Sequence, residues 1–476
     1  MSTDHVGGLE ELAEAVASGR ARAADLVAAS LARIQRHDTT LGAVVALRSD
    51  AAMAEAEQVD LAVAAGQRLG PLAGLPVLVK DLEDVAGMRT TKGSLLFADA
   101  PTATSDGLVP GRLRAAGAIV VGKTNLPEFA IEGFTSNLLF GTTRNPWDLE
   151  LSPGGSSGGS AAAMAAGLAA FATATDGGGS IRIPAALCGL VGIKPTNGVV
   201  GRRPVPDWID FSTDGPFATT VADLRLLLDV IAGPVAGDPT ALGSSLPAAR
   251  PPARLLAAYR TAPLGPLPGP VATAFEGAVA AMSDLLGLPV TWLESDSVFP
   301  DGNPDLDWFT SAAAEHVSAL GRDFVHRGLV RMHPSSQAFL ADGLAVTVDE
   351  YLAARRRRFD YVRTFDELLA GDAVLLTPTV AVAGFLADGR LTVDAPVGLL
   401  PAEVYSTAVQ NITGHPAITL PAGRTGGGLP FGLQVTAARF ADESLLDLAA
   451  RWESAHPWPL SAPGYQPFTL TTLTPT

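Results

Sequence analysis

The chain has 476 residues, 47% of them apolar, and no tract so biased in composition that it would stay unfolded, so it can bury a large core as one big enzyme domain. Forty-nine acidic against thirty-three basic residues leave a net charge of -16, spread along the chain. That balance argues against a surface built for nucleic-acid phosphates or anionic membranes.

From Met1 to Arg20 the chain carries acidic residues where a secretory leader would carry a basic region and an apolar block, so a cytoplasmic location is expected. Cys188 is the only cysteine, which rules out an internal disulfide and suits a reducing compartment. Residues from about 8 to 66 repeat apolar positions at helical spacing (Leu9, Leu12, Val16, then Leu26, Ala29, Leu31, Ile34) and predict two or three amphipathic helices. They wrap the outside of the core, within residues 1-70. After the turn from Pro71 to Pro76, Val77-Leu78-Val79-Lys80 reads as a buried strand with Lys80 at its end. A helix at Leu108 to Ala116, a strand at Ala118 to Val121, a helix at Ser160 to Ala170, a strand at Ala172 to Thr175 and a helix at Val221 to Ile231 follow within residues 71-232. The uncharged run from Leu151 to Thr175 is long enough for a bilayer, but its Gly, Ser and Ala gain little in lipid, so no membrane span is expected.

Residues 233 to 252, rich in Pro, Ala and Gly, read as a long connection. Helices at about 269 to 286, 305 to 327 and 348 to 370 dominate residues 253-371. Strands return at Ala373 to Leu376, Ala417 to Leu420 and Gly432 to Val435, so residues 372-476 complete the sheet begun earlier. Strands separated by helices define an α/β fold class, a mixed β-sheet core covered on both faces by α-helices. No internal repeat is present.

Arginine supplies nearly every positive charge, and only four lysines remain: Lys80, Lys92, Lys123 and Lys194. Arginine keeps its proton at any usable pH, whereas a desolvated lysine can lose it, so a position that resists arginine can be one that needs a neutral amine. Chance or packing is the competing explanation for each.

The densest chemical signal is Ser152-Pro-Gly-Gly-Ser156-Ser-Gly-Gly-Ser160, followed by Thr175-Asp-Gly-Gly-Gly-Ser180-Ile-Arg182. Glycines let backbone N–H groups converge on one point, which is what an oxyanion requires, with the Ser180 hydroxyl beside them as attacker. A flexible Gly/Ser linker would have the same composition. The flanking apolar helix and Ile181-Arg-Ile-Pro-Ala belong instead to packed structure. Gly154-Gly-Ser156-Ser-Gly158 matches a nucleophile elbow but lacks the preceding hydrophobic strand. Gly117-Ala-Ile-Val-Val-Gly122-Lys123-Thr124 matches a phosphate loop letter for letter, yet its inner residues are strand formers.

The stretch from Pro153 to Thr196 closely resembles the signature of the amidase signature family. The resemblance extends to Gly74-Leu-Pro-Val-Leu-Val-Lys-Asp81, Thr90-Thr-Lys-Gly-Ser94 and Gly122-Lys-Thr-Asn-Leu-Pro-Glu-Phe-Ala130. It also reaches Gly215-Pro-Phe-Ala218, Leu376-Thr-Pro-Thr379, Asn411-Ile-Thr-Gly-His-Pro-Ala417 and Gly428-Leu-Pro-Phe-Gly-Leu-Gln434, in order over nearly the whole chain. It implies the amidase signature fold with helical insertions that form the substrate pocket. It also implies Ser180 as nucleophile, Ser156 as a bridging serine after a cis Gly155-Ser156 peptide, and Lys80 as base. The implied oxyanion donors are Gly177, Gly178, Gly179 and Ser180, with Asp176, Arg182, Ser157 and Gly155 in support. Departures are Gly177, where the family often has Thr or Ile, Leu187 for the usual Phe, and Asn197 for an aromatic or serine. A third glycine is expected to make the oxyanion loop more mobile.

In this reading Ser156 passes the Ser180 proton to neutral Lys80, an acyl-enzyme forms, and water releases the acid. No cofactor and no metal is called for, and no histidine takes part; His415 is expected to be structural. Pocket walls are expected from Phe134 to Phe140, the helices between 305 and 345 and the 380 to 400 loop, with Phe134, Phe140, Trp308, Phe309, Phe324 and Phe339 as candidate lining. The expected substrate is a small hydrophobic or aryl amide, with esters and carbamates (urethanes) open to the same acyl transfer, acted on by a monomer or homodimer. The alternatives are an A-type amidotransferase component that releases ammonia from glutamine and works with a partner on aminoacyl-tRNA, and a non-catalytic binding protein.

Overall fold

Pro76–Lys80 is a run of four apolar residues ending in Lys80, buried on both faces, and a buried strand of that kind pairs in parallel. Its neighbours are Ile119–Thr124 and Phe171–Ala172, and Val44–Leu47 closes this four-stranded sheet by running antiparallel to Ile119–Thr124. The computed structural model describes residues 8–473 except 244, 262–266, 268, 295–297, 300–301, 392–405 and 427.

A second, seven-stranded sheet runs in the order Phe217–Ala218, Val191–Lys194, Ala417–Arg424, Pro430–Thr436, Ala373–Pro378, Arg254–Ala257, Val290–Trp292. Its pairing is parallel on both sides of Arg254–Ala257 and antiparallel elsewhere. The returning strands therefore extend the sheet through Val191–Lys194, not through the strand of Lys80. The expected strand from Ala172 to Thr175 divides between the four-stranded sheet and a separate two-stranded ribbon. Ala172 pairs with Leu78, whereas Thr175–Asp176 turns away to pair with Thr213–Asp214 before entering the triple-glycine turn. Backbone bonds from Thr173 N to Leu78 O (2.9 Å) and from Gly215 N to Ala174 O (3.3 Å) close the seam.

The N-terminal helices are Leu9–Ala17, Ala23–Leu41 and Ser49–Ala64. Helix Pro304–Leu320 starts where Asn303 accepts the N–H groups of Asp305 and Leu306 and Pro304 occupies the first turn. The expected helix over 305 to 327 breaks at Gly321 (φ +88°) and restarts as Arg322–Gly328. Helix Val348–Leu368 opens on a capping box between Thr347 and Glu350. Buried or partly buried helices with no counterpart in the sequence reading include Arg182–Cys188, Asp442–Ala455 and Ala408–Thr413. The first and last are buried all round and so lack the polar stripe that marks an amphipathic helix. Among the described residues no helix is long and apolar enough to cross a membrane.

Candidate active site

Lys80 ends its strand with no exposed surface, and its Nζ sits 2.7 Å from Ser156 Oγ, 2.8 Å from Thr175 Oγ1 and 3.0 Å from Ser157 Oγ. A neutral amine in this cage donates two hydrogen bonds and accepts one; after taking a proton it donates all three to the same hydroxyl oxygens. Both protonation states are thus fully bonded. Burial pulls the Lys80 pKa down to about 7, against the opposing pull of the Glu83, Asp176 and Asp214 carboxylates. The free amine is therefore far more accessible near neutral pH than for an exposed lysine. The sequence reading gave Thr175 no role at the site, although it opens the Thr-Asp-Gly-Gly-Gly-Ser run.

Ser156 follows a cis peptide from Gly155. The two glycine-serine loops meet where Ser157 N donates to Ser180 O at 3.3 Å, and Ser152 to Ser160 are buried throughout, so the run is packed structure and not a linker. Ser180 lies on the floor of the cavity described below, 8% exposed.

The glycine turn is held from three sides. Trp308 Nε1 donates to Gly177 O at 2.7 Å, Thr407 Oγ1 donates to Gly178 O at 2.6 Å, and Gly179 N donates to Asp176 Oδ1 at 2.7 Å. The loop is therefore braced, against the expectation of mobility. Gly179 takes φ +128°, and its N–H is committed to Asp176, so it is unavailable as an oxyanion donor. The N–H groups of Gly177, Gly178 and Ser180 have no protein acceptor among the described residues.

Behind the turn, Arg182 grips both Asp176 oxygens and also reaches Thr407 O (2.9 Å), Asn411 Oδ1 (2.6 Å), Gln434 Oε1 (2.8 Å) and Gln410 Oε1 (3.1 Å). Burial works against charge on Asp176, but Arg182 and the Asn411 amide outweigh it and hold the carboxyl at about 2. Asn411 Nδ2 donates to both Asp176 O and Oδ1 at 2.9 Å. The C-terminal segments thus lock the loop through polar residues whose part the sequence reading missed.

The remaining lysines sort by environment. Lys194 is fully buried and brought to about 7, first by burial and then by the Arg182 charge. Lys123, in the strand Ile119–Thr124 and not in a phosphate loop, pairs with Asp81 at 3.1 Å, and Lys92 pairs with Asp207 at 3.3 Å. Buried His415 packs edge-on against Phe365 and lies near Asp366, away from the cavity. Burial pushes the Cys188 thiol far up and leaves it unreactive.

The cavity above Ser180 holds about 760 Å³ and includes Ser156, Thr175, Gly177, Trp208, Phe129 and Asp214 in its lining. Its walls come from the segments 82–109 and 202–214, and of the helices between 305 and 345 only His316 contributes. None of the six expected aromatics lines it. Phe309 packs edge-on against Phe339, Phe324 against Phe97, Phe134 against His333, and Trp308 lies behind the glycine turn, while Phe140 is 37% exposed. Several of these aromatics pair with other aromatic rings in the core. Residues 392–405, part of the expected 380 to 400 wall, lie outside the described residues. Among those described, no group of three His, Cys, Asp or Glu side chains is placed to hold a metal ion.

A buried lysine caged by serines lies beside a braced glycine turn, and the amidase family model matches residues 25–446. The chain belongs to the amidase family of hydrolases. It is 38% identical over 462 residues to AmiB2 of Mycobacterium tuberculosis, covering 95% of this chain and 96% of that one. It is 35% identical to an acylamidase of Rhodococcus erythropolis, covering 94% and 95%. It is also 33% identical to the A component of the glutamyl-tRNA(Gln) amidotransferase of Chromohalobacter salexigens, covering 97% and 99%. Among solved structures, a bacterial aryl acylamidase superposes with a TM-score of 0.86 at 26% identity, covering 96% of this chain and 98% of that one. 6-Aminohexanoate cyclic dimer hydrolase with its substrate bound superposes at 0.83 and 29% identity, covering 97% and 99%.

Proposed function

We propose that this amidase hydrolyses the carbon–nitrogen bond of a small hydrophobic amide through an acyl-enzyme on Ser180, with Ser156 as proton relay and Lys80 as base. The observation that carries the reading is the short contact of 2.7 Å between Lys80 Nζ and Ser156 Oγ, made by an amine whose pKa is brought to about 7. A serine hydroxyl becomes an effective nucleophile only as its proton leaves, and neutral Lys80 can take that proton through Ser156. As Ser180 attacks, the carbonyl oxygen gains charge against the N–H groups of Gly177, Gly178 and Ser180. Protonated Lys80 then returns the proton through Ser156 to the leaving nitrogen. Water attacks the acyl-enzyme by the same route and frees the acid.

Esters and carbamates pass through the same tetrahedral geometry and fall within the proposed range. The likeness to the acylamidase and to the aryl acylamidase supports a free-standing hydrolase of hydrophobic amides. The test is chromophore or aniline release from a matched anilide, phenyl ester and aryl carbamate by the wild type and by Ser180→Ala. Turnover lost in the variant supports the nucleophile, and the ranking of the three bonds gives the preference. Glutamine hydrolysis that appears only with a partner protein would overturn the reading in favour of an A-type amidotransferase component.

A further inference from the structure

Gly177 has no room for a side chain. A Cβ built there would stand 2.0 Å from Trp208 Cε3 and 2.3 Å from Cζ3, closer than carbon atoms can approach. The indole occupies the volume that a larger residue at 177 would fill. Nor is the ring free to swing away, because its Nε1 donates to Ala312 O at 3.1 Å in the helix Pro304–Leu320. Its faces are also engaged: it stacks near Phe211 (6.1 Å, 19°), meets Trp308 edge-on (5.5 Å, 72°) and touches His316 (5.9 Å).

The two indoles therefore hold Gly177 together, Trp208 by filling its side-chain space and Trp308 by binding its carbonyl. Trp208 is 8% exposed and lines the cavity above Ser180 with Phe97 and Phe129, which themselves meet edge-on at 6.1 Å. Aromatic rings gain more from aromatic partners than saturated rings of equal bulk do, because the edge of one ring is attracted to the face of another.

We infer that Trp208, admitted by glycine at position 177, is the specificity-determining residue of this site and selects substrates with an aryl group next to the scissile carbon–nitrogen bond. The inference rests on the amidase reading above and adds which side chain reads the substrate and what it reads. It also makes positions 177 and 208 a mutually exclusive pair, in which a side chain at the first requires a smaller residue at the second.

The experiment uses two pairs of amides, benzoic and cyclohexanecarboxylic methylamides, then N-phenyl and N-cyclohexyl acetamides, with the acid product measured by chromatography. Trp208→Ala should lower kcat/KM for the aryl member of at least one pair about fivefold to tenfold more than for its cyclohexyl counterpart. An equal loss in both members of both pairs overturns the selection. Separately, Gly177→Ser should lose most activity while remaining folded by near-UV circular dichroism, and Gly177→Ser with Trp208→Ala should regain about tenfold or more over the single variant. A fully active Gly177→Ser enzyme, or a double variant no better than the single, overturns the pairing. If the wild type hydrolyses none of the amides, the amidase reading fails and this inference with it. Turnover that Ser180→Ala abolishes but Trp208→Ala leaves unbiased defeats the inference alone.

Discussion

Arg182 and Asp176 meet as a fully buried forked ion pair, with Nε and Nη2 each 2.9 Å from a different carboxylate oxygen. The same carboxylate accepts the Gly179 and Ile181 N–H groups, so one aspartate ties the nucleophile turn to the arginine and, through it, to the C-terminal segments. Asp176→Asn leaves the guanidinium buried without its counter-charge. It should cost about 3–5 kcal/mol of stability in a denaturant titration, a loss that a surface pair of the same geometry would not produce.

Lys80→Met keeps much of the length and the apolar stem but removes the lone pair. The variant should fold, since its neighbours Ser156, Ser157 and Thr175 can bond elsewhere within the loop, and lose about a thousandfold or more in kcat. A loss of less than about tenfold, measured on the best substrate of the three bond classes, would remove Lys80 from the mechanism.

The acylation rate should rise with pH and level off above an apparent pKa of about 7, because the active form is the deprotonated amine. Burial raises the Asp214 carboxyl, against the pull of Lys80 and two arginines, and its charge favours the charged form of Lys80. Asp214→Asn removes that favour. The midpoint of the kcat profile should therefore move to lower pH; a move upward would contradict the assignment.

Trp308→Phe removes the N–H that binds Gly177 O and keeps most of the ring. Its carbonyl freed, the donor turn loses one of its three anchors, and kcat should fall about tenfold with KM changed far less. A change confined to KM would place Trp308 in substrate binding only.

Lysine usage and motif spacing singled out the groups proposed to react, since Lys80, Ser156 and Ser180 each sit at a strand end or in a glycine loop that the residue order alone exposes. The strand of Lys80 was legible too, because four apolar residues in a row have few other uses. The cavity wall was not. Trp208 lies in a segment from Val205 to Phe211 with no period of two or 3.6, and what places it is its bond to Ala312 more than a hundred residues away. Asn411 and Gln434 were opaque for the same reason: a buried polar residue announces itself only once its partner, here Arg182 or Asp176, is known.

The sparing use of lysine has a practical side. Lys80, Lys123 and Lys194 have no exposed surface, and Lys92, with 27% of its side chain accessible, stands on the wall of the substrate cavity. Amine-directed reagents, from acetylating agents to aldehyde supports, therefore find one internal target, and its derivatisation adds bulk to the wall of the cavity above Ser180. Tethering the enzyme through its outward carboxylates leaves Lys92 untouched.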